Sequence, residues 1–313
     1  MPAPKCIIID PMHESIFQML QDIGWDTDYQ PDITRDELRE KHIGYQGLIV
    51  RSKTTINRDL LGESPTLKFI GRAGAGLDNL ELPYLLEKNI QVVHASEGNR
   101  DAVGEHAIGL LLSLMRNITR ADQQVRNDIW AREENRGEEI MEKTVGIIGY
   151  GNTGQAFARR LSGFGCNVLA YDKYKTSFSD GYCKEASMEN IFSEADILSL
   201  HIPLTDETRM LVDISYLKQF KKPIILVNTA RGEIVSLSAV AYALENGLIR
   251  GAALDVLENE KINKLTGAQQ AAFNSLRERS NVIFTPHIAG WTFESHVKIN
   301  VALAKKIKAL QLT

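Results

Sequence analysis

Apolar positions along this chain gather into short runs, each closed by a polar or glycine-rich cluster, with amphipathic stretches between them. Cys6-Ile7-Ile8-Ile9-Asp10 is too short for a helix and apolar enough for a strand buried on both faces. Residues 14–23 carry Ile16, Phe17, Leu20 and Ile23 at helical spacing and stop at Gly24. A short helix is expected over 34–41, a strand over Gly47–Val50 and another over 67–70. A helix over Leu82–Glu87 and a strand over Gln91–His94 follow, and then a long apolar helix over 105–117. After residue 143 the pattern starts again. Strands are expected over 145–148, 167–171, Ile197–Leu200, 224–227, 252–254 and Val282–Phe284. Helices over 188–192, 214–220 and 238–246 separate the later ones, 259–280 reads as polar and less regular, and a helix over 294–310 closes the chain. Strands alternating with helices imply parallel sheets covered on both faces, here two in succession. The polar clusters fall where strands end, which is where open parallel sheets bind ligands.

The stretch 120–142 departs from this alternation. It is highly charged, with Trp130 among acids and bases, and reads as an exposed arm. Such an arm is either a solvated face or a contact between two copies of the chain.

Composition narrows the class. The length of 313 residues suits two domains, each able to bury its own core. With 43% hydrophobic and 24% charged residues the chain reads as soluble and globular. A net charge of −4 gives no reason to expect nucleic acid or an anionic membrane as partner. No apolar run reaches the length of a membrane span. Met1-Pro2-Ala3-Pro4-Lys5 runs straight into a strand without the apolar core of a signal peptide. Cys6, Cys166 and Cys183 are odd in number and not spaced as metal ligands, so neither a disulfide framework nor a metal is expected. A cytoplasmic location is the expectation.

The most specific stretch joins two of the expected strands. Val145-Gly146-Ile147-Ile148 leads into Gly149-Tyr150-Gly151-Asn152-Thr153-Gly154, an amphipathic run follows, and Asn167-Val168-Leu169-Ala170-Tyr171 ends on Asp172. Gly149 permits a tight turn, Gly151 lets backbone approach a pyrophosphate, and Gly154 lets helix and sheet pack closely. The helix start offers free N–H groups and a positive dipole end to phosphates. Asp172 can accept from an adenosine ribose and repels a 2′-phosphate, which favours NAD over NADP. Lys173 and Lys175 follow at once and weaken that preference.

A second set of strand ends carries reactive side chains: Asn228-Thr229-Ala230-Arg231-Gly232, then Asp255-Val256 with Glu258 and Glu260, then Thr285-Pro286-His287. His201 follows a fourth strand. Carboxyl ends of parallel strands converge on one crevice, so these groups can meet although distant in sequence. An Arg there clamps a substrate carboxylate bidentately. A His passes a proton to or from the reacting oxygen, and a carboxylate beside it favours the charged imidazole. Spacing alone leaves Glu258 and Glu260 equally placed. Taken singly, Arg231 reads as a surface salt-bridge residue, His287 as a loop cap and His201 as a wall residue.

These motifs, with Arg72-Ala-Gly-Ala-Gly-Leu-Asp-Asn79, Gly104-Glu-His-Ala-Ile-Gly109, His201-Ile-Pro-Leu-Thr-Asp-Glu-Thr208 and Gly251-Ala-Ala-Leu-Asp-Val256, resemble the D-isomer-specific 2-hydroxyacid dehydrogenases over essentially the whole chain. Within them the sequence looks most like the short D-3-phosphoglycerate dehydrogenases. The resemblance implies an α/β protein of two doubly wound parallel-sheet domains. A Rossmann NAD-binding domain over 99–287 is inserted into a flavodoxin-like substrate domain made of 1–98 and 288–313. It implies catalytic Arg231, Glu260 and His287, choosing Glu260 over Glu258. On the cofactor side it implies Gly149, Gly151, Asn152, Thr153, Gly154, Asp172, His201, Pro203, Thr208, Thr229, Ala230, Asp255 and Gly290. Arg51, Ser52, Ala75, Gly76 and Asn99 are implied on the substrate side. Family members dimerise through the nucleotide domain, which makes the 120–142 arm an expected intersubunit element.

Three features depart from the family's pattern. Lys261 stands where Pro usually follows the catalytic Glu, ahead of a longer stretch through Ser280. Trp291 replaces a small residue, so the pocket beside it is expected to be tighter or stacked differently. The sequence ends at Thr313, so the serine inhibition carried by extended relatives has no expected seat. The expected substrate is 3-phospho-D-glycerate, oxidised in the first step of serine biosynthesis, with Arg51, Lys53 and Arg72 as sources of positive charge. Glyoxylate, hydroxypyruvate and D-lactate are the alternatives, and a non-catalytic NAD(H)-sensing corepressor is the rival from another class.

Overall fold

The computed structural model describes residues 3–63 and 65–312; Met1 and Pro2, at the head of the stretch read as entering a strand, and Thr313 lie outside the described residues. The chain divides into two compact units, one of 1–100 with 291–313 and one of 101–290. The divisions thus fall at 100/101 and 290/291 rather than at 98/99 and 287/288. Residues 288–290 go with the second unit because Asp255 holds the amides of Ile288 and Ala289, both at 2.9 Å.

The first unit opens with β1 (Lys5–Ile8), α1 (Ser15–Gln21), β2 (Asp26–Tyr29), α2 (Arg35–Lys41), β3 (Gly47–Val50), α3 (Arg58–Leu61), β4 (Phe69–Arg72), α4 (Leu82–Glu87) and β5 (Gln91–His94). The strands run parallel in the order β2-β1-β3-β4-β5, the flavodoxin-like winding. Alternation along the strands divides the core: Ile7, Leu48, Val50 and Ile70 face one layer, and Cys6, Ile8, Ile49 and Phe69 the other. β2 has no counterpart in the apolar pattern. It is Asp-Thr-Asp-Tyr, paired only with β1 at the sheet edge, where no continuous apolar run is needed.

The second unit contains α5 (Arg100–Met115), α6 (Ile118–Arg126), β6 (Thr144–Ile148), α7 (Asn152–Leu161), β7 (Asn167–Tyr171), β8 (Lys184–Glu185) and α8 (Met188–Glu194). It continues through β9 (Ile197–Leu200), α9 (Ile214–Leu217), β10 (Ile224–Asn228), α10 (Leu237–Glu245), β11 (Ile249–Leu254), α11 (Gly267–Arg277) and β12 (Val282–Phe284). Its seven strands run parallel in the order β12-β11-β10-β9-β6-β7-β8, so the winding reverses between β6 and β9. That reversal is where a doubly wound sheet opens its ligand crevice. The strand ends are in register: Tyr171 pairs Ile148, Ile148 pairs Leu200, Leu200 pairs Asn228, Asn228 pairs Leu254, and Leu254 pairs Phe284. Every loop expected to carry chemistry in this unit therefore leaves from one edge.

Two segments differ from the sequence expectation. The charged arm contains α6, a helix with no buried residue. The polar stretch 259–280 contains α11, which buries Ala272 and Leu276; its start is fixed by a Thr266/Gln269 capping box, a signal present in the sequence. α12 (Phe293–Ala309) belongs to the first unit, where Ile299, Ala302, Leu303 and Ile307 pack with Cys6, Ile8, Leu20 and Phe69. Lys306 secures it by donating to the His94 carbonyl at 2.6 Å and pairing Glu97 at 2.8 Å. No helix among the described residues is long and apolar enough to cross a membrane.

Candidate active site

In the second unit the turn after β6 is shaped by its glycines. Gly149 has φ +92°, and a Cβ there would meet the His201 carbonyl oxygen at 2.5 Å. A Cβ on Gly154 would meet the Gly149 oxygen at 2.1 Å, which fixes the approach of α7 to the turn. Space is open beside Gly151, the N-cap of α7, and no side chain caps that helix start. Asn152 and Thr153 open the helix, half-buried. Open space at Gly151 beside the start of α7 is what an approaching pyrophosphate requires.

Asp172, one residue past β7, accepts from the amides of Tyr150 at 2.9 Å and Tyr174 at 3.0 Å, which aims its carboxylate beside the glycine turn. The two neighbouring lysines are engaged: Lys173 pairs Glu207 at 2.5 Å and Lys175 donates to the Tyr150 carbonyl at 2.7 Å. A groove of about 510 Å³ runs along Asp172, Lys173, Lys175 and Asn190. His201 is buried, with Nε2 2.9 Å from the Ser199 hydroxyl and Nδ1 3.3 Å from that of Thr153. Burial pulls its pKa down to about 3, so it braces the glycine turn as a neutral ring. In the following loop the Thr208 hydroxyl donates to the Pro203 carbonyl at 2.7 Å and shapes the exit from β9. The Thr229 hydroxyl oxygen is enclosed with no protein partner, and Ala230 lies half-buried beside it.

Three neighbouring strands, β10, β11 and β12, deliver Arg231, Glu260 and His287. His287 Nδ1 lies 2.8 Å from Glu260 Oε1, with both side chains about half exposed. His287 also has φ +56°, rare outside glycine, and its amide is held by the Asp255 carbonyl at 2.7 Å. The Arg231 turn is tied by Asn228, fully buried, which donates to the Arg231 carbonyl and accepts from the Ala230 amide, both at 3.0 Å. Arg231 itself donates from Nη1 to the Ala230 carbonyl at 2.6 Å. Glu258 has a different task. It accepts from the Leu237 amide at 3.0 Å, at the start of α10, and from Gln269 at 2.9 Å, so the carboxylate facing His287 is that of Glu260. A pocket of about 360 Å³ opens on Glu260 and His287, with apolar walls from Leu257, Ile262, Phe273 and Phe284.

Asp255 is the hub beneath this loop. Its buried carboxylate accepts from the Thr285 hydroxyl at 2.6 Å and the amides of Ile288 and Ala289, and lies 3.4 Å from His106 Nε2. Burial alone would raise its pKa, but the bonds from His106, Thr285 and the two amides hold it below the ordinary aspartate value. Both oxygens are occupied by the protein, so Asp255 acts on the site by fixing the 285–289 loop that carries His287 and leads to Gly290. Asn228, Ser199 and His106 perform similar positioning and were absent from the sequence-based set. Their motifs were legible, but nothing along the chain says which side chain each would meet.

The expected substrate-side residues all belong to the first unit. Arg51 follows β3; its amide is held by the buried Asp10 carboxylate at 2.5 Å and its carbonyl accepts from Asn79 at 3.3 Å. Ser52 is exposed, Ala75 and Gly76 are half-buried, and the Asn99 side-chain oxygen is enclosed without a protein partner. Of the other cations named for a phosphate, Lys53 donates to the Pro31 carbonyl at 2.7 Å, and Arg72 Nη1 lies where a Cβ on Gly74 would stand.

Residues 108–289 match the family model described as the D-isomer specific 2-hydroxyacid dehydrogenase NAD binding domain. The chain belongs to that family. Over 97% of its length it is 35% identical to a D-3-phosphoglycerate dehydrogenase of Methanocaldococcus jannaschii, of which it covers 57%. It is 33% identical to a hydroxypyruvate reductase of Thermotoga maritima over 95% of both chains. Among solved structures, a D-lactate dehydrogenase from Aquifex aeolicus complexed with NAD and lactic acid superposes with a TM-score of 0.82 at 28% identity, covering 98% of this chain and 95% of that one. The chain spans about half the length of the curated phosphoglycerate dehydrogenases it matches. Both halves of the fold expectation, the Rossmann unit and the flavodoxin-like unit made from two stretches of chain, agree with this membership.

Proposed function

We propose that this protein oxidises 3-phospho-D-glycerate with NAD, and that Arg231, Glu260 and His287 carry the reaction. The observation that supports this most is the His287–Glu260 contact of 2.8 Å at one sheet edge with the Arg231 turn. His287 Nε2 takes the proton of the substrate hydroxyl, while Nδ1 stays bonded to Glu260, which fixes the ring's orientation and favours the imidazolium that forms. Arg231 holds the substrate carboxylate through paired N–H donors. The bound nicotinamide supplies the hydride acceptor. Gly149, Gly151, Asn152, Thr153 and Gly154 would hold its pyrophosphate, Asp172 its adenosine ribose, and Thr229, with its unpartnered hydroxyl oxygen, a further polar group. His201, Pro203, Thr208, Ala230 and Gly290 would border the same cofactor, and Asp255 would keep its rim in shape.

Arg51, Ser52, Ala75, Gly76 and Asn99 make up the substrate-side set, and Arg51, Lys53 and Arg72 supply the positive charge for a phosphate, with the Lys53 ammonium bonded to the Pro31 carbonyl. The second reading is hydroxypyruvate or glyoxylate reduction, favoured by the Thermotoga maritima relative that matches along nearly its full length. A dimer through the second unit is supported by the arm, where Val125, Ile129, Trp130 and Met141 are all at least half exposed.

The test is steady-state turnover with NAD and 3-phospho-D-glycerate against D-glycerate, with hydroxypyruvate and glyoxylate in the reverse direction. The expected result is a higher kcat/KM for the phosphorylated acid. His287→Ala should lower kcat by about 10²–10⁴ with NADH affinity within about twofold. Near-normal turnover by that variant would remove the acid–base assignment. Nucleotide binding with no turnover of any 2-hydroxy acid would favour the sensor reading.

A further inference from the structure

Trp291 is the first residue of the segment that rejoins the first unit. The Arg51 guanidinium carbon lies 4.3 Å from the centre of its indole ring. The indole is 59% exposed, and its ring meets the His296 imidazole nearly perpendicular, with centroids 4.8 Å apart. Guanidinium and imidazole therefore hold the indole from two sides, within one unit.

Arg51 is fixed at its base and stacked at its tip. Asp10 and Asn79 pin the backbone, Pro11 offers a carbonyl 3.3 Å from Nη1, and the guanidinium carbon lies over the indole ring. Among the described residues no carboxylate pairs with the guanidinium; the Asp10 carboxylate is spent on the Arg51 amide. Burial pulls the Arg51 pKa down and the Asp10 charge opposes this, so the cation is partly stripped of water without a bonded anion to replace it. His296 does not supply that anion. Burial, then the charges of Arg51 and His13, lower its pKa, which leaves it neutral at pH 7.

A guanidinium held against an aromatic ring has fewer orientations open to it, and its planar fork takes an oxyanion through its N–H donors. The geometry points to Trp291 as a positioning residue: it presents the Arg51 edge to the distal anionic group of a 2-hydroxy acid, a phosphate or a second carboxylate. This rests on the proposed dehydrogenase activity only for the identity of the ligand as substrate. The Arg51–Trp291 contact itself lies wholly within the first unit.

The test uses the full chain with Trp291→Ala and Trp291→Phe. Stacking on an aromatic face is lost in the first and largely kept in the second. For Trp291→Ala we expect kcat/KM for 3-phospho-D-glycerate to fall by roughly tenfold through KM rather than kcat. The preference for this acid, and for D-malate, over D-glycerate should fall by the same factor, and Trp291→Phe should restore most of it. A larger loss with phosphate than with malate identifies phosphate as the distal group, and the reverse identifies carboxylate. A second readout needs no turnover. In Trp130→Phe protein, which keeps Trp291 and the buried Trp25, adding 3-phospho-D-glycerate should change indole emission, and Arg51→Gln should abolish the change. Emission that responds in a protein that oxidises nothing would sink the activity reading and keep this inference. Normal turnover with KM indifferent to Trp291→Ala and silent emission would do the opposite. Equal losses for Ala and Phe, with D-glycerate affected as much as the phosphorylated acid, would also overturn it.

Discussion

His201 shows how much a single side chain's meaning depends on its surroundings. In the sequence it is a histidine at a strand end, read singly as a wall residue and placed on the cofactor side by the family resemblance. In the fold it is enclosed between Ser199 and Thr153, with its ring centroid 5.3 Å from that of Phe157, and burial carries its pKa to about 3. The sign of the consequence is fixed. Between pH 6.5 and 3 the unfolded chain binds a proton at this histidine and the folded chain does not, so stability falls as pH drops through that window. The slope is about 1.4 kcal/mol per pH unit at most, so roughly 2 kcal/mol separates pH 7 from pH 5. Urea unfolding at those two values should show the loss, and His201→Gln should flatten it. An equally steep slope in the variant would mean that other groups carry the acid sensitivity. Glu258 and Glu260 make the same point, since spacing leaves them equivalent, while in the fold Glu258 is bonded to Leu237 and Gln269 and Glu260 to His287.

At the scale of elements, the site depends on loops from adjacent strands packing without a gap. Gly232, directly after Arg231, makes this explicit: a Cβ there would lie 1.8 Å from the Leu257 carbonyl oxygen and 2.7 Å from the Glu258 amide. Backbone on both sides leaves no flexible side chain to yield. Gly232→Ala must therefore push the Arg231 turn away from the loop leading to Glu260. Displacement of about 1 Å at a reacting group costs on the order of a hundredfold, which is the expected loss of kcat/KM. NADH affinity should fall much less, because the glycine turn after β6 is untouched. Kinetics beside a fluorescence titration of NADH would separate the two effects, and a loss confined to NADH binding would contradict the account. The elements themselves were unevenly legible. Strands buried at every position, such as β3 and β9, stand in the sequence with their observed limits, because continuous burial writes a continuous apolar run. β2, β8 and α6 do not, because an edge strand or an exposed helix buries too little to leave such a pattern.

At the scale of the molecule, each hydrophobic core closes within one unit. The clusters around Leu198 and Phe157 lie inside 101–290, and those around Leu48 and Phe69 draw only on the first unit, including α12. A fragment of 101–290 should therefore fold alone, unfold in a single transition and bind NADH within about tenfold of the full chain's affinity, without turnover. Calorimetry with an NADH titration of the fragment checks this, and an unfolded fragment would show that its cores need the first unit. The sequence by itself determined the two rounds of strand and helix, the glycine turn with its terminal acid, and the polar strand ends, since these follow from local spacing and from which stretches must avoid water. Tertiary structure alone decided which of those polar groups meet: Glu258 on the Leu237 amide, Asp255 beneath the loop, Trp291 over Arg51. Contacts between residues tens to hundreds of positions apart are set by strand order and register, and no local pattern along the chain encodes them.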